Sequence, residues 1–236
     1  MIKQILCDLD GTLIHFDHHL FVKNYIGLLS KKLSNYVDPL EFSNHLLTAT
    51  GVMIKNTDGT KTNYDIFWSY FKEKTNYPFD KLNPLIDEFY EKDFHQLKTM
   101  ITLPAMAPVI DKITSLKIPI ALATNPVFPK AAVMTRLSWA GFSDSQFNLI
   151  TTYETSHYCK PNPAYYQEIV DILGIAPHEC LMIGNDVSED LAAGKIGIKT
   201  YLLTDALINS KNIENIQSDY IGTTAQLLND LDEILK

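Results

Sequence analysis

Lys3-Gln4-Ile5-Leu6-Cys7-Asp8-Leu9-Asp10-Gly11-Thr12 begins as a short apolar run and ends in acid. In a chain whose other patterns have helical periodicity, a run of this length reads as a buried parallel strand over residues 3–8. Ligands of open parallel sheets bind beyond the carboxyl ends of the strands. Asp8 and Asp10 therefore present carboxylates where a site belongs, and Gly11 lets the backbone turn sharply behind them. Asp-Gly is also a common turn dipeptide, and the chain contains its own control. Asp58-Gly59-Thr60 repeats the tripeptide, but it follows polar Lys55-Asn56-Thr57 and lacks the first acid. It reads as a turn.

Working outward, four more apolar runs end near polar residues, at 118–123, 147–151, 180–183 and 199–203, with a weak one at 219–221. Helical patterns lie between them, at 107–116, 129–140, 163–173, 188–195 and 224–235, two of them opening on proline in the first turn. Alternation of this kind predicts an α/β fold, a doubly wound parallel sheet. The first crossover does not fit a simple strand-helix-strand unit, because residues 17–100 intervene. They read as helices over 21–33, 39–50, 64–75 and 81–94. The expected organisation is a catalytic core of residues 1–16 and 101–236 with a helical cap domain of residues 17–100, the boundaries lying near His15–His19 and Thr99–Pro104.

The 236 residues carry 20 Lys+Arg against 28 Asp+Glu, a formal charge of −8. An acidic chain is a poor general binder of nucleic acid or anionic membrane. Its one arginine, Arg136, leaves almost none of the forks that read guanine or clamp phosphates. No apolar run reaches the length of a membrane span, and charge appears too early for a signal peptide. Cys7, Cys159 and Cys180 are odd in number and lack metal-type spacing. They predict neither a disulfide framework nor a zinc site, and a reducing, cytoplasmic setting. Cys7 reads as a small buried apolar residue.

Other strand ends supply partners for the first pair of acids. The second ends at Thr124-Asn125, a hydroxyl and an amide; Lys160 follows the third, just before a helix; the fourth ends Gly184-Asn185-Asp186, with Asp190 four residues on. Each has a plain explanation alone, as a helix cap or a solvated lysine. Together they gather carboxylates, a hydroxyl and an ammonium at successive carboxyl ends of one sheet. His15, His18 and His19 lack the spacing of a two-ligand helix face and read as a hinge or pocket rim. Phe67, Trp68, Tyr70 and Phe71 sit at helical spacing and read as packing within the insert.

In this order, Asp8-x-Asp10-Gly11-Thr12, Thr124, Lys160 and Asp186-x-x-x-Asp190 resemble the four motifs of the haloacid dehalogenase-like superfamily of phosphohydrolases. The insert resembles the cap of its phosphoglycolate phosphatase and β-phosphoglucomutase branch. Asn185 departs from the pattern, standing where many members have glycine. The resemblance implies that Asp8 attacks phosphorus and carries an aspartyl-phosphate, and that Asp10 protonates the leaving oxygen and then deprotonates water. It implies Mg²⁺ on the Asp8 carboxylate, the Asp10 carbonyl and Asp186, with Asp190 orienting that site from behind. Thr124, the Asn125 N–H and Lys160 would hold the phosphoryl group. A halide leaving group needs no proton, so Asp10 favours phosphoryl transfer over dehalogenation. The expected activity is a Mg²⁺-dependent phosphatase acting on a small phosphorylated metabolite. The alternatives are a phosphosugar mutase, a 5′-nucleotidase, or a non-catalytic binding module on the same fold.

Overall fold

The computed structural model describes residues 1–208 and 217–235; residues 209–216 and 236, which fall in the expected core range, lie outside the described residues. Six strands form one all-parallel sheet: β1 (Gln4–Cys7), β2 (Ile120–Leu122), β3 (Leu149–Ile150), β4 (Cys180–Gly184), β5 (Lys199–Leu203) and β6 (Tyr220–Gly222). Their order is β3-β2-β1-β4-β5-β6. The chain winds outward from β1 on one side, then returns to build the other side, so the switch point lies between β1 and β4. Cys7 pairs with Leu122 on one flank and Ile183 on the other. The carboxyl ends of β1, β2 and β4 therefore finish level, which is what brings the motifs together.

Alternation along β1 assigns the two faces. Ile5 and Cys7 pack with α5 (Ala107–Ser115), α6 (Lys130–Trp139) and α8 (Thr224–Ile234). Leu6 faces the opposite way, against α7 (Pro163–Leu173) and Ala192 and Ala193. All four β1 residues are buried, as two-sided coverage of a parallel sheet requires.

Between β1 and α5 the chain forms α1 (His18–Leu33), α2 (Pro39–Ile54), α3 (Asn63–Lys74) and α4 (Phe79–Glu88). Asp17, Asp38 and Thr62 cap the first three through their side chains, each stabilising its helix by about 1 kcal/mol. The two crossings into this insert are paired: His15 and Thr102 exchange both backbone hydrogen bonds at 2.8 Å. The insert's apolar core continues into the rest of the chain, where Phe94 stacks on Trp139 of α6 at 5.5 Å.

Two expected helices differ. The helix read over 81–94 ends at Glu88 and passes into a π turn, Phe89–Asp93, then a 3-10 stretch, Phe94–Met100. Phe89 and Phe94 are both fully buried and five residues apart; the i→i+5 turn, with Phe94 N–H donating to the Phe89 carbonyl, lets both face the core. The helix read over 188–195 is a 3-10 segment, Asp190–Ile196, ending at left-handed Gly197. Asp190 is turned inward there, accepting from the Asp186 N–H at 2.9 Å.

Asp58-Gly59-Thr60 is an exposed turn, in which Asp58 Oδ1 accepts from the Thr60 N–H at 3.0 Å. The three cysteines are free and buried. No described helix is long and apolar enough to cross a membrane.

Candidate active site

Asp8 lies one residue past β1, pinned to β4 by its N–H donating to the Ile183 carbonyl at 2.9 Å. Its side chain is nearly buried, and Lys160 beside it is wholly so. Lys160 Nζ donates to Asp8 Oδ1 at 2.8 Å and to Asp190 Oδ1 at 2.6 Å. Burial is the largest influence on the lysine and pulls its pKa down, but Asp190 and Asp8 more than reverse it, so it stays charged. Burial pushes the Asp8 carboxyl well above the ordinary carboxylate range; Asp190 and Asp10 push the same way against Lys160. Gly184 makes room for this arrangement, since a Cβ there would stand 2.1 Å from Asp190 Oδ2.

The β4 loop brings Asp186 alongside. Its Oδ1 accepts from the N–H groups of Ser188 at 2.8 Å and Glu189 at 3.0 Å. Asn185 is fully buried and stitches the β4 loop to its neighbours: Oδ1 accepts from Thr12 Oγ1 at 3.3 Å and Nδ2 donates to the Ala206 carbonyl at 2.6 Å. Its amide fills the space over Gly11, where a Cβ would lie 2.2 Å from Nδ2, and Gly11 has φ +94°. Glycine at 11 and asparagine at 185 are thus one steric arrangement.

Thr124 is buried past β2, its carbonyl accepting from Thr151 Oγ1 at 2.7 Å and Tyr165 Oη at 2.8 Å. Asn125 spans two loops: Oδ1 accepts from the Lys160 N–H at 3.2 Å, and Nδ2 donates to Glu189 Oε1 at 2.9 Å. The backbone N–H groups of Leu9, Asp10 and Asn125 make no hydrogen bond to a described residue. Asp8, Asp10, Thr124, Asn125, Asp186 and Asp190 all line one cavity of about 880 Å³. Lys160 sits behind Asp8, beneath that lining. His18 and His19 are exposed and line the cavity, and His15 stands at the paired crossing.

Two residues near the site escaped the sequence reading. Arg136, the lone arginine, is fully buried in α6 and its Nη1 pairs with Asp10 Oδ2. Its Nε donates to the Ala132 carbonyl at 3.3 Å and its Cζ lies 4.3 Å from the Phe128 ring centroid. Asp10 Oδ1 and Arg136 Nη2 are buried without a hydrogen-bond partner among the described residues. The signal was present: 136 shares the buried helical face of Ala132, Val133 and Leu137. Glu189 also lines the cavity, and burial, its largest influence, raises its carboxyl to about 7.

Among the described residues no three His, Cys, Asp or Glu side chains form a metal cluster. A Mg²⁺ site of two carboxylates, one carbonyl and waters asks for fewer. Asp8, Asp10, Asp186 and Asp190 set four carboxylates against Lys160 and Arg136. That excess of negative charge fits a hard cation with oxygen ligands.

The similarities to known proteins agree with this geometry. Pyrophosphatase PpaX of Oceanobacillus iheyensis is 23% identical over 222 residues, 93% of this chain and 92% of that protein. A phosphoglycolate phosphatase of Vibrio vulnificus is 27% identical over 145 residues, 61% of each. CbbY of Rhodobacter sphaeroides, solved in complex with xylulose-(1,5)bisphosphate, shares the fold at TM-score 0.61 and 18% identity, with 96% of each chain covered. The haloacid dehalogenase-like hydrolase family model matches residues 2–197, and this chain belongs to that family of hydrolases.

Proposed function

We propose that this chain is a Mg²⁺-dependent phosphatase that hydrolyses a phosphomonoester through an aspartyl-phosphate on Asp8. The carrying observation is the Asp8–Lys160–Asp190 chain at the head of the cavity, with Asp10 beside it. An Asp8 carboxylate oxygen forms a bond to phosphorus as the ester P–O bond breaks. Lys160 holds the other side of that carboxylate and offsets charge on the phosphoryl oxygens. Asp10 gives a proton to the departing alcohol. Water then bonds to phosphorus, the Asp8 O–P bond breaks, and Asp10 takes the water's proton. Arg136 pairs with Asp10 Oδ2 and holds that side chain in place. Thr124 and the unpaired N–H groups of Leu9, Asp10 and Asn125 receive the phosphoryl oxygens. Asp8, Asp186 and the Asp10 carbonyl would hold Mg²⁺, with Asp190 fixing the Asp186 backbone; the bound ion supplies charge neutralisation that lets a carboxylate approach a phosphate dianion.

Residues 17–100 act as the cap over a core of 1–16 and 101–236, moving about the paired crossing at His15 and Thr102. Three free buried cysteines suit a reducing, cytoplasmic setting.

The test is phosphate release from p-nitrophenyl phosphate, with Mg²⁺ and with EDTA, beside Asp8→Asn. Activity should require Mg²⁺ and fall at least about a thousandfold in Asp8→Asn; acid-quenched wild type should carry phosphate on Asp8. Turnover that survives the substitution overturns the nucleophile. An isomerised phosphosugar formed without free phosphate would make the chain a mutase.

A further inference from the structure

The cavity that starts at Asp8 does not stop at the catalytic edge. It runs into the helical insert, where its walls are Val22 and Ile26 of α1, Phe42 and Leu46 of α2, and Phe67 and Phe71 of α3. The polar atoms of that end satisfy one another. Tyr25 Oη and Tyr90 Oη are hydrogen-bonded at 2.7 Å, and the Trp68 indole N–H donates to Tyr153 Oη at 3.2 Å. Among the described residues, the lining contributes no lysine or arginine anywhere. Its carboxylates stand at the catalytic edge, apart from the helix cap Asp17.

Beyond the His18 and His19 imidazoles at the start of α1, a leaving group with several hydroxyls, or with a second anionic group, would lose its water there and find few partners; that loss is costly. An apolar leaving group would instead exchange water for aliphatic and aromatic carbon. The volume, about 880 Å³, lies in the range that encloses whole small-molecule ligands. We infer that the substrates are phosphomonoesters of apolar alcohols, alkyl or aryl, whose hydrocarbon part fills the cavity between the catalytic edge and the insert. This rests on the phosphatase reading above and narrows it. It also sets this chain apart from relatives whose names specify compact, highly charged substrates, pyrophosphate and phosphoglycolate.

The experiment measures kcat/KM for n-alkyl phosphates from ethyl to octyl, beside 2-phosphoglycolate, pyrophosphate and a hexose phosphate. Each methylene buried should raise kcat/KM roughly threefold, so octyl phosphate, six methylenes longer, should exceed ethyl phosphate by on the order of 700-fold and exceed the charged compounds similarly. A flat or falling series, or a charged compound equal to octyl phosphate, overturns the assignment while leaving the phosphatase reading intact. If none of the esters is hydrolysed, the phosphatase reading fails instead. The cavity's preference is then read by calorimetric binding of octyl and ethyl phosphate to Asp8→Asn protein. Binding of octyl phosphate at least tenfold tighter supports it, and equal binding overturns it. Leu46→Asp, at a half-buried wall position, should lower the octyl-to-ethyl ratio at least tenfold; an unchanged ratio counts against the assignment.

Discussion

Replacing Arg136 with methionine keeps the length and apolar stem of the side chain and deletes the guanidinium. Removing one partner of a buried ion pair costs about 3–5 kcal/mol. Two features reduce that here. The Asp10 side chain is 24% exposed, so cavity water can stabilise the carboxylate left behind. Arg136 Nη2 already lacks a partner among the described residues, and deleting it relieves a desolvation penalty of about 1–3 kcal/mol. The cation over Phe128 adds back about 1 kcal/mol. The net expectation is about 2 kcal/mol of lost stability, roughly thirtyfold in the folding equilibrium. Arg136 is absent from the cavity lining, so KM should change little. Asp10, freed to rotate, should transfer protons less well, and kcat should fall about ten- to a hundredfold. Arg136→Lys keeps the charge without the fork and should recover part of both losses. The assay is urea unfolding and steady-state phosphate release for Arg136→Met, Asp10→Asn and the double variant. A real pair gives a coupling of about 1–2 kcal/mol in stability and a double variant hardly slower than Asp10→Asn alone. Losses that add within about 0.5 kcal/mol, in stability and in activation free energy, would refute the assignment of Arg136 to Asp10.

Gly11→Ala should lose about 2–4 kcal/mol by urea unfolding, because φ +94° is costly for alanine and the new Cβ falls 2.2 Å from the Asn185 amide; a loss under about 1 kcal/mol would mean the loop relaxes freely. Lys160→Met should cost about 3–5 kcal/mol at neutral pH by stranding Asp8 and Asp190. The deficit should shrink as pH falls and Asp8, whose carboxyl burial already pushes upward, takes up a proton; a deficit independent of pH would deny its charge. Glu189 has its pKa raised to about 7 from an ordinary 4.5, so its contribution is full below pH 4.5 and is lost as pH rises through 7. Allowing for its partial exposure, that contribution is about 2 kcal/mol. With EDTA present, Glu189→Gln should flatten that slope between pH 4.5 and 7, and an unaltered slope sinks the idea.

How much of this was legible in the sequence depends on whether the signal was local. The ends of β1, β2 and β4 each announced themselves by an apolar run meeting polar residues, and parallel register then placed Asp8, Thr124 and Asp186 together without further information. Lys160 was legible for the same reason, standing where the chain leaves β3 for α7. What failed to read was set by long-range packing. The π turn at Phe89–Asp93 exists because Phe89 and Phe94 must both reach one core, which no window of helical periodicity encodes. Glu189 stands between Asp186 and Asp190 with no role legible in the sequence, and it is burial, beside Asn125, that changes its character.

Arg136 is the most instructive residue, because its rarity alone does not show its role. A single arginine in 236 residues leaves almost no phosphate-binding fork, and Arg136 stays out of the cavity lining. Its position within α6 says something different. Residues 132, 133, 136 and 137 form one apolar face, and a guanidinium placed there must find a carboxylate or go unpaired at great cost. Among the described residues it finds Asp10, on the loop after β1, the strand that pairs with the β2 leading into α6. A buried charge on an otherwise apolar helical face is therefore a question about a distant partner, and the acid it meets is the residue that the proposed chemistry asks to be held in place.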